Sequence, residues 1–191
     1  MSDEQGRQRS DTSQARRPTR DETGLALAHV WAKRGTCARR QVGCVLFDID
    51  GYQLSAGYNG PPSGELHCID HPCDGAAFRS GFGLDECEAI HAEVGAVARC
   101  ADIRRVHTCY VTVSPCVSCV KILATTGALR IVFSEEYPQP EAKFRWLRRG
   151  ADLTPNPYEW VQIPHLLPTE KIERSDLETA TMNRPMRGDP A

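Results

Sequence analysis

The sequence predicts an α/β domain with a partly parallel sheet, and three observations carry that prediction. Short runs rich in β formers alternate with helical segments in the order β-β-α-β-α-β-α, a pattern that builds helices onto a mixed sheet. Two of the predicted helices open on metal-ligand residue types, which places both helix starts together at one end of the strands. The 191 residues are 40% apolar, enough for one domain with a real core.

Residues 1–20, with Ala15 their one apolar residue beyond the initiator, read as a solvated tail without the apolar centre of a signal peptide. The folded domain is expected over 21–167. The first helix is predicted from Thr23 to Lys33, with Leu25, Ala28 and Ala32 on one face and Asp21, Glu22 and Thr23 at an acidic start. His29 reads as an ordinary helix residue. Cys44 to Phe47 is a buried strand, Asp48-Ile49-Asp50-Gly51 a turn, and Gln53 to Asn59 the returning strand. Gly60-Pro61-Pro62-Ser63-Gly64 is loop, and residues 65–87 are irregular. Glu88 to Cys100 is the next helix, with Ile90, Val94, Val97 and Ala98 as its apolar side. A strand follows over 107–113, then a helix from Val117 to Thr126 and a strand from Leu129 to Phe133 with Ser134 to Tyr137 as its exit loop. Glu141 to Arg149 is a helix with Phe144 and Leu147 facing inward and Arg145, Arg148 and Arg149 on a solvated face. Leu153 starts an edge segment, Trp160 to Ile163 forms another, and 168–191 is expected to be a flexible tail.

The chemistry concentrates in His91-Ala92-Glu93 and in Pro115-Cys116-Val117-Ser118-Cys119, with Cys116 following His91 by 25 residues. One imidazole and two thiols make three ligands for a zinc ion and leave a fourth position open, as a catalytic site requires. Positions i and i+2 diverge on a regular helix, so His91 and Glu93 converge only at a helix start. Helix N-termini also favour thiolates at Cys116 and Cys119. Two thiolates cancel the charge of the ion, so water there needs a nearby base, and Glu93 supplies it. The bland alternatives, a structural zinc knuckle or free buried thiols, do not need the acid.

Cys37, Cys68, Cys73 and Cys87 offer a second, structural four-thiolate zinc site, with His67 and His71 as substitutes; the alternative is a set of unligated thiols. Nine cysteines, an odd number at metal-like spacings, read as reduced thiols plus zinc. A net charge of −2 argues against a protein held by nucleic-acid phosphates. No apolar run reaches membrane-spanning length, so a cytoplasmic protein is expected.

The motif H-x-E followed by P-C-x-x-C is the signature of zinc-dependent nucleobase deaminases. From Cys37 to Tyr137 the chain resembles the deoxycytidylate (dCMP) deaminases of the cytidine deaminase-like superfamily. The matching pieces, in order, are TCARRQVGCVLF, GYNGPPSG, HCIDHPC, HAEVGAV, YVTVSPCVSC and ATTGALRIVFSEEY. The resemblance implies a three-layer α/β/α fold with a mixed, mostly five-stranded sheet. It implies His91, Cys116 and Cys119 as ligands of a catalytic zinc, Glu93 as proton shuttle, and Asn59 against the sugar or base. By analogy with the superfamily, the Ser114 carbonyl accepts from the reacting amine. It also implies a homo-oligomer, effector control by dCTP and dTTP, and in some members a second zinc near Cys37 and Cys68. Two departures stand out. Ala89 and Gly81 occupy positions where some members have histidine ligands, and Gly95 stands where the family commonly has asparagine.

The expected reaction is therefore hydrolysis of dCMP to dUMP and ammonia, supplying dUMP for thymidylate synthesis. The alternatives are a 5-substituted dCMP, a base within nucleic acid, or a non-catalytic nucleotide-binding zinc protein. The 5′-phosphate needs donors, and Arg39 and Arg40 with the Ser63-Gly64 backbone are the candidates.

Overall fold

The computed structural model describes residues 17–164, apart from 80, 81, 84 and 85. The segments 1–16 and 168–191, expected as tails, lie outside the described residues. Four helices and five strands are described: α1 Arg20–Ala32, β1 Gly43–Phe47, β2 Gln53–Tyr58, α2 Ala92–Ala98, β3 Thr108–Val113, α3 Val117–Leu123, β4 Arg130–Glu135, α4 Pro140–Leu147 and β5 Glu159–Gln162.

The strands form one sheet in the order β2-β1-β3-β4-β5. β1 is antiparallel to both β2 and β3, whereas β3, β4 and β5 are parallel. The central strands bury both faces, and their alternation sorts side chains into two cores. Val45, Tyr110 and Val132 pack with Leu25 and Ala28 of α1. Cys44, Leu46, Val111, Ile131 and Phe133 pack with Ala92 and Ala96 of α2, Val120 and Leu123 of α3, and Ala142 and Trp146 of α4. This is the expected three-layer arrangement, with one helix on one face and three on the other.

α2 lies unusually close to the sheet because β2 presents a glycine there. A Cβ at Gly57 would overlap the Ala92 carbonyl and the Ala96 amide. Ser55 Oγ, two residues away on the same face, donates to the Ala96 carbonyl at 2.8 Å. The depth of α2 on the sheet is thus set by backbone contact rather than by side chains.

Several expected boundaries move, each for a local reason. α1 begins at Arg20, three residues early, because Thr19 forms a capping box with Glu22. α2 covers only Ala92–Ala98, not 88–100, since Gly60 pairs with Ile90 and keeps the preceding chain extended. Its apolar side differs as well: Ile90 and Ala98 are exposed, and Ala92, Gly95 and Ala96 are buried. α3 stops at Leu123, where Thr125 and Thr126 turn back onto Ile122 and Leu123. Ser134 and Glu135, expected in a loop, extend β4. On α4 the inward residue is Trp146, fully buried, while Phe144 is 68% exposed. Arg149 is not simply solvated. Its guanidinium stacks on Trp146 and Tyr158 and donates to the Ala124 carbonyl. Leu153 is exposed in a turn, and the last strand starts at Glu159. His29 is engaged with Ser134 Oγ at 2.9 Å.

A charged network ties α1 to the sheet. Asp21 accepts from Arg130 Nη1 and Nη2, both at 3.1 Å, and from the Tyr110 hydroxyl at 2.8 Å. Burial raises the Asp21 carboxyl, but the bonds from Arg130 and Tyr110 outweigh it and hold the group below the usual carboxylate range. A depressed folded-state value contributes stability above the ordinary carboxylate range that is lost as pH falls through the folded value. Asp21→Asn is expected to cost about 1.5–3 kcal/mol at pH 7, as for a hydrogen bond to a charged group. In denaturant titrations from pH 7 to pH 3, that difference shrinks as the wild-type carboxylate protonates.

Candidate metal centre

Two loop-to-helix junctions build the centre. β3 delivers Ser114 and Pro115, and Cys116 then caps α3, its sulfur accepting from the Cys119 amide at 3.5 Å. His91 caps α2 with extended backbone, so Glu93 falls in the first turn. This reconciles His91 and Glu93 with the i, i+2 problem, because only Glu93 lies within the helix. His91 Nδ1 is 3.3 Å from Cys119 Sγ and 3.5 Å from Cys116 Sγ. The three ligand atoms lie within 4.8 Å of one another, and among the described residues no other such cluster of His, Cys, Asp or Glu occurs. Zinc–sulfur and zinc–nitrogen bonds of about 2.3 and 2.0–2.1 Å place tetrahedral ligand atoms roughly 3.5 Å apart. The donor set therefore fits zinc in both chemistry and spacing.

The ionisation pattern is that of a polarised cluster. A bond from the Cys119 thiol, which with His91 outweighs burial, lowers Cys116 to about 4. Cys119 is driven far up by sharing that bond and by burial. The bond to Cys116 raises His91 against the opposing effect of burial. Burial raises the Glu93 carboxyl, and the neighbouring His91 opposes it. Glu93 is 4% exposed.

A cavity of about 590 Å³, counting its open mouth, lies over the cluster, and His91, Glu93 and Cys116 line it. Asn59, Ser114, Arg39 and Arg40 line it too, as do Val42, Val113 and Tyr137, which lie in the matching pieces but carry no assigned role. Val113 ends β3 and Tyr137 lies two residues past the end of β4, and only the folded sheet brings them to the cavity.

Several lining residues also hold the walls. Asn59 Oδ1 accepts from the Val42 amide at 2.7 Å, and its Nδ2 donates to the Arg40 carbonyl at 2.8 Å. Ser114 Oγ accepts from the Tyr137 amide at 2.8 Å. Arg39 Nη1 donates to the carbonyls of Gly75 and Phe82 at 2.8 and 2.9 Å, which anchors the irregular segment. Ser63 and Gly64 are exposed and do not line the cavity. The structure does not bring them to the place a phosphate donor there would need.

All nine cysteines are free thiols. Cys68 Sγ and Cys73 Sγ lie 3.6 Å apart. Cys37 and Cys87 line the cavity wall nearby, but the four do not form a set as tight as the His91 cluster. Gly81 lies outside the described residues, and Ala89 lines the cavity. Gly95 does not line it. A Cβ at Gly95 would sit 2.9 Å from Arg99 Nη1 and 3.7 Å from the Tyr58 carbonyl, on the α2–β2 side.

Residues 18–135 match the family model described as the cytidine and deoxycytidylate deaminase zinc-binding region. The deoxycytidylate deaminase of Saccharomyces cerevisiae is 28% identical over 153 residues, covering 79% of this chain and 48% of that protein. The deoxycytidylate deaminase of Mycobacterium phage D29 is 35% identical over 126 residues, covering 63% of this chain and 98% of that protein. The chain thus spans about half the length of the yeast relative and nearly all of the phage one. The crystal structure of dCMP deaminase from the cyanophage S-TIM5 superposes with a TM-score of 0.54 at 22% identity, covering 78% of this chain and all of that one. That likeness establishes the shared fold.

Asn59→Ala removes the partners of two backbone groups on the cavity wall. We expect a loss of about 1–3 kcal/mol in denaturant unfolding, since each of two part-buried hydrogen bonds contributes about 0.5–1.5 kcal/mol. Faster amide exchange at Val42 accompanies it.

Proposed function

Because the chain belongs to the cytidine and deoxycytidylate deaminase zinc-binding family, we propose that it hydrolyses dCMP to dUMP and ammonia. The observation that carries this reading is Glu93, a carboxyl buried beneath the cavity and beside a three-ligand cluster it does not need to join. His91 through Nδ1, Cys116 and Cys119 hold the zinc. Zinc bound there acts as a Lewis acid that acidifies water and so supplies the nucleophile. Glu93 takes one proton of the attacking water and delivers it to N3 of the pyrimidine, then takes the proton of the new C4 hydroxyl and gives it to the amine, which leaves as ammonia while the C4 carbonyl forms. Its burial makes it a better proton carrier, because a carboxyl raised towards neutrality both accepts and returns a proton readily. The Ser114 carbonyl orients the amine, and the Tyr137 amide holds the Ser114 side chain.

The unmodified nucleotide is the preferred substrate in this reading. Gly95, the departure that suggested a 5-substituted pyrimidine, does not line the cavity. A base within nucleic acid is disfavoured by the net charge of −2. Arg39 and Arg40 line the cavity and are the proposed phosphate contacts, Asn59 supports its wall, and Ser63 and Gly64 fall outside it. The proposal extends to a homo-oligomer with dCTP and dTTP as effectors, working in the cytoplasm and making dUMP for thymidylate synthesis. No helix among the described residues is long and apolar enough to cross a membrane. The catalytic domain is assigned to 21–167, extended at its start by Thr19 and Arg20, which cap and open α1.

A second, structural zinc held by Cys37, Cys68, Cys73 and Cys87 is favoured by the facing thiols of Cys68 and Cys73. Metal analysis should then give two zinc ions per chain in the wild type and one in Cys68→Ser. One ion in both would leave these as plain thiols.

Glu93→Gln is expected to keep the catalytic zinc while ammonia release from dCMP falls by about 100- to 10,000-fold. Normal turnover in that variant would remove Glu93 from proton transfer. A zinc-loaded wild type that binds dCMP without releasing ammonia would make the protein a nucleotide sensor instead.

A further inference from the structure

Arg40 lines the cavity and pairs with Glu135, and the chemistry assigned to Glu93 uses neither. Arg40 Nη1 lies 3.4 Å from Glu135 Oε2. The two residues come from separate segments of the chain. Arg40 precedes β1, and its carbonyl is held by Asn59 Nδ2 at 2.8 Å. Glu135 ends β4, in register with Val113, and its carbonyl accepts from the Ser114 amide at 2.8 Å. Both backbones are therefore pinned by residues that line the cavity. The side chains are not: they remain 40% and 62% exposed.

Arg39 is already committed to the Gly75 and Phe82 carbonyls through Nη1. Arg40 is the cavity-lining cation whose partner can leave at little cost, because an exposed ion pair is a weak interaction. A phosphate dianion is a stronger partner for a guanidinium, offering short, charge-assisted, bidentate bonds.

We propose that Glu135 is a built-in competitor for the 5′-phosphate, holding Arg40 in a clasp when no nucleotide is bound. This rests on the nucleotide reading given under Proposed function. The entering phosphate displaces the carboxylate from Arg40. The carboxylate recaptures Arg40 as the product departs, since product and substrate carry the same phosphate. Glu135 is thus a positioning residue that acts through Arg40. It moderates phosphate affinity and favours product release, and it leaves the affinity for the base and sugar alone.

Because the active protein would consume dCMP, the test is calorimetric titration of zinc-loaded Glu93→Gln protein, alone and with Glu135→Gln, Arg40→Ala or both added, with dCMP, deoxycytidine and inorganic phosphate. Glu135→Gln should tighten dCMP and inorganic phosphate by about two- to fivefold, the range of an exposed ion pair, with deoxycytidine unmoved. In the Arg40→Ala background the same substitution should change nothing. The inference is overturned if dCMP and deoxycytidine tighten together, if phosphate affinity does not change, or if the gain survives the loss of Arg40. Ammonia release is read separately, with Glu93 in place. Absent deamination with the phosphate gain intact would remove the functional reading and keep the clasp. Normal deamination without the gain would remove the clasp alone.

Discussion

Convergence of one imidazole nitrogen and two sulfurs within hydrogen-bonding distance of each other is the constraint on which the rest of this structure depends. His91 and the two cysteines sit on different helices, so their spacing is a property of the sheet beneath them. β3 fixes the height of Cys116, and the absence of a side chain at Gly57 lets α2 settle until its backbone touches β2. A longer side chain at that strand position would lift α2 and carry His91 and Glu93 away from the sulfurs.

The cavity walls follow a similar logic, with polar side chains acting as braces for backbone. Asn59 ties β2 to the segment before β1, Ser114 ties β3 to the exit of β4, and Arg39 ties the irregular segment to the cavity mouth. Motif residues in this chain thus serve two ends, since the group that faces the cavity also fixes the wall it stands on. The arrangement suits a site where water and a proton must be handled in a confined space. Misplaced walls would admit bulk water, which weakens electrostatic interactions there.

Glu93 shows how burial and charge cooperate. Desolvation raises the carboxyl, while the adjacent imidazole restrains that rise. Farther out, the exposed Arg40–Glu135 pair operates under the opposite physics, where solvent keeps the interaction weak and exchangeable.

Much of this was legible in the sequence, and the reason is local. The H-x-E and P-C-x-x-C spacings declare a three-ligand site with a spare acid, because ligand type and open coordination depend on residue identity alone. The apolar run Cys44–Phe47 declares a buried strand, and the β formers of 107–113 declare another. What only the tertiary structure decided were facts of distance between remote segments. Periodicity turned Phe144 inward, yet Trp146 won the buried position. Glycine at 95 suggested an altered pocket, yet its missing side chain faces Arg99. Ser63 and Gly64 looked suited to phosphate, yet they do not line the cavity, whereas Tyr137, which carries no assigned role, does. Such outcomes depend on which strand lies beside which and how deeply each helix packs. Those are sums of many weak long-range contacts, and no short stretch of residues encodes them.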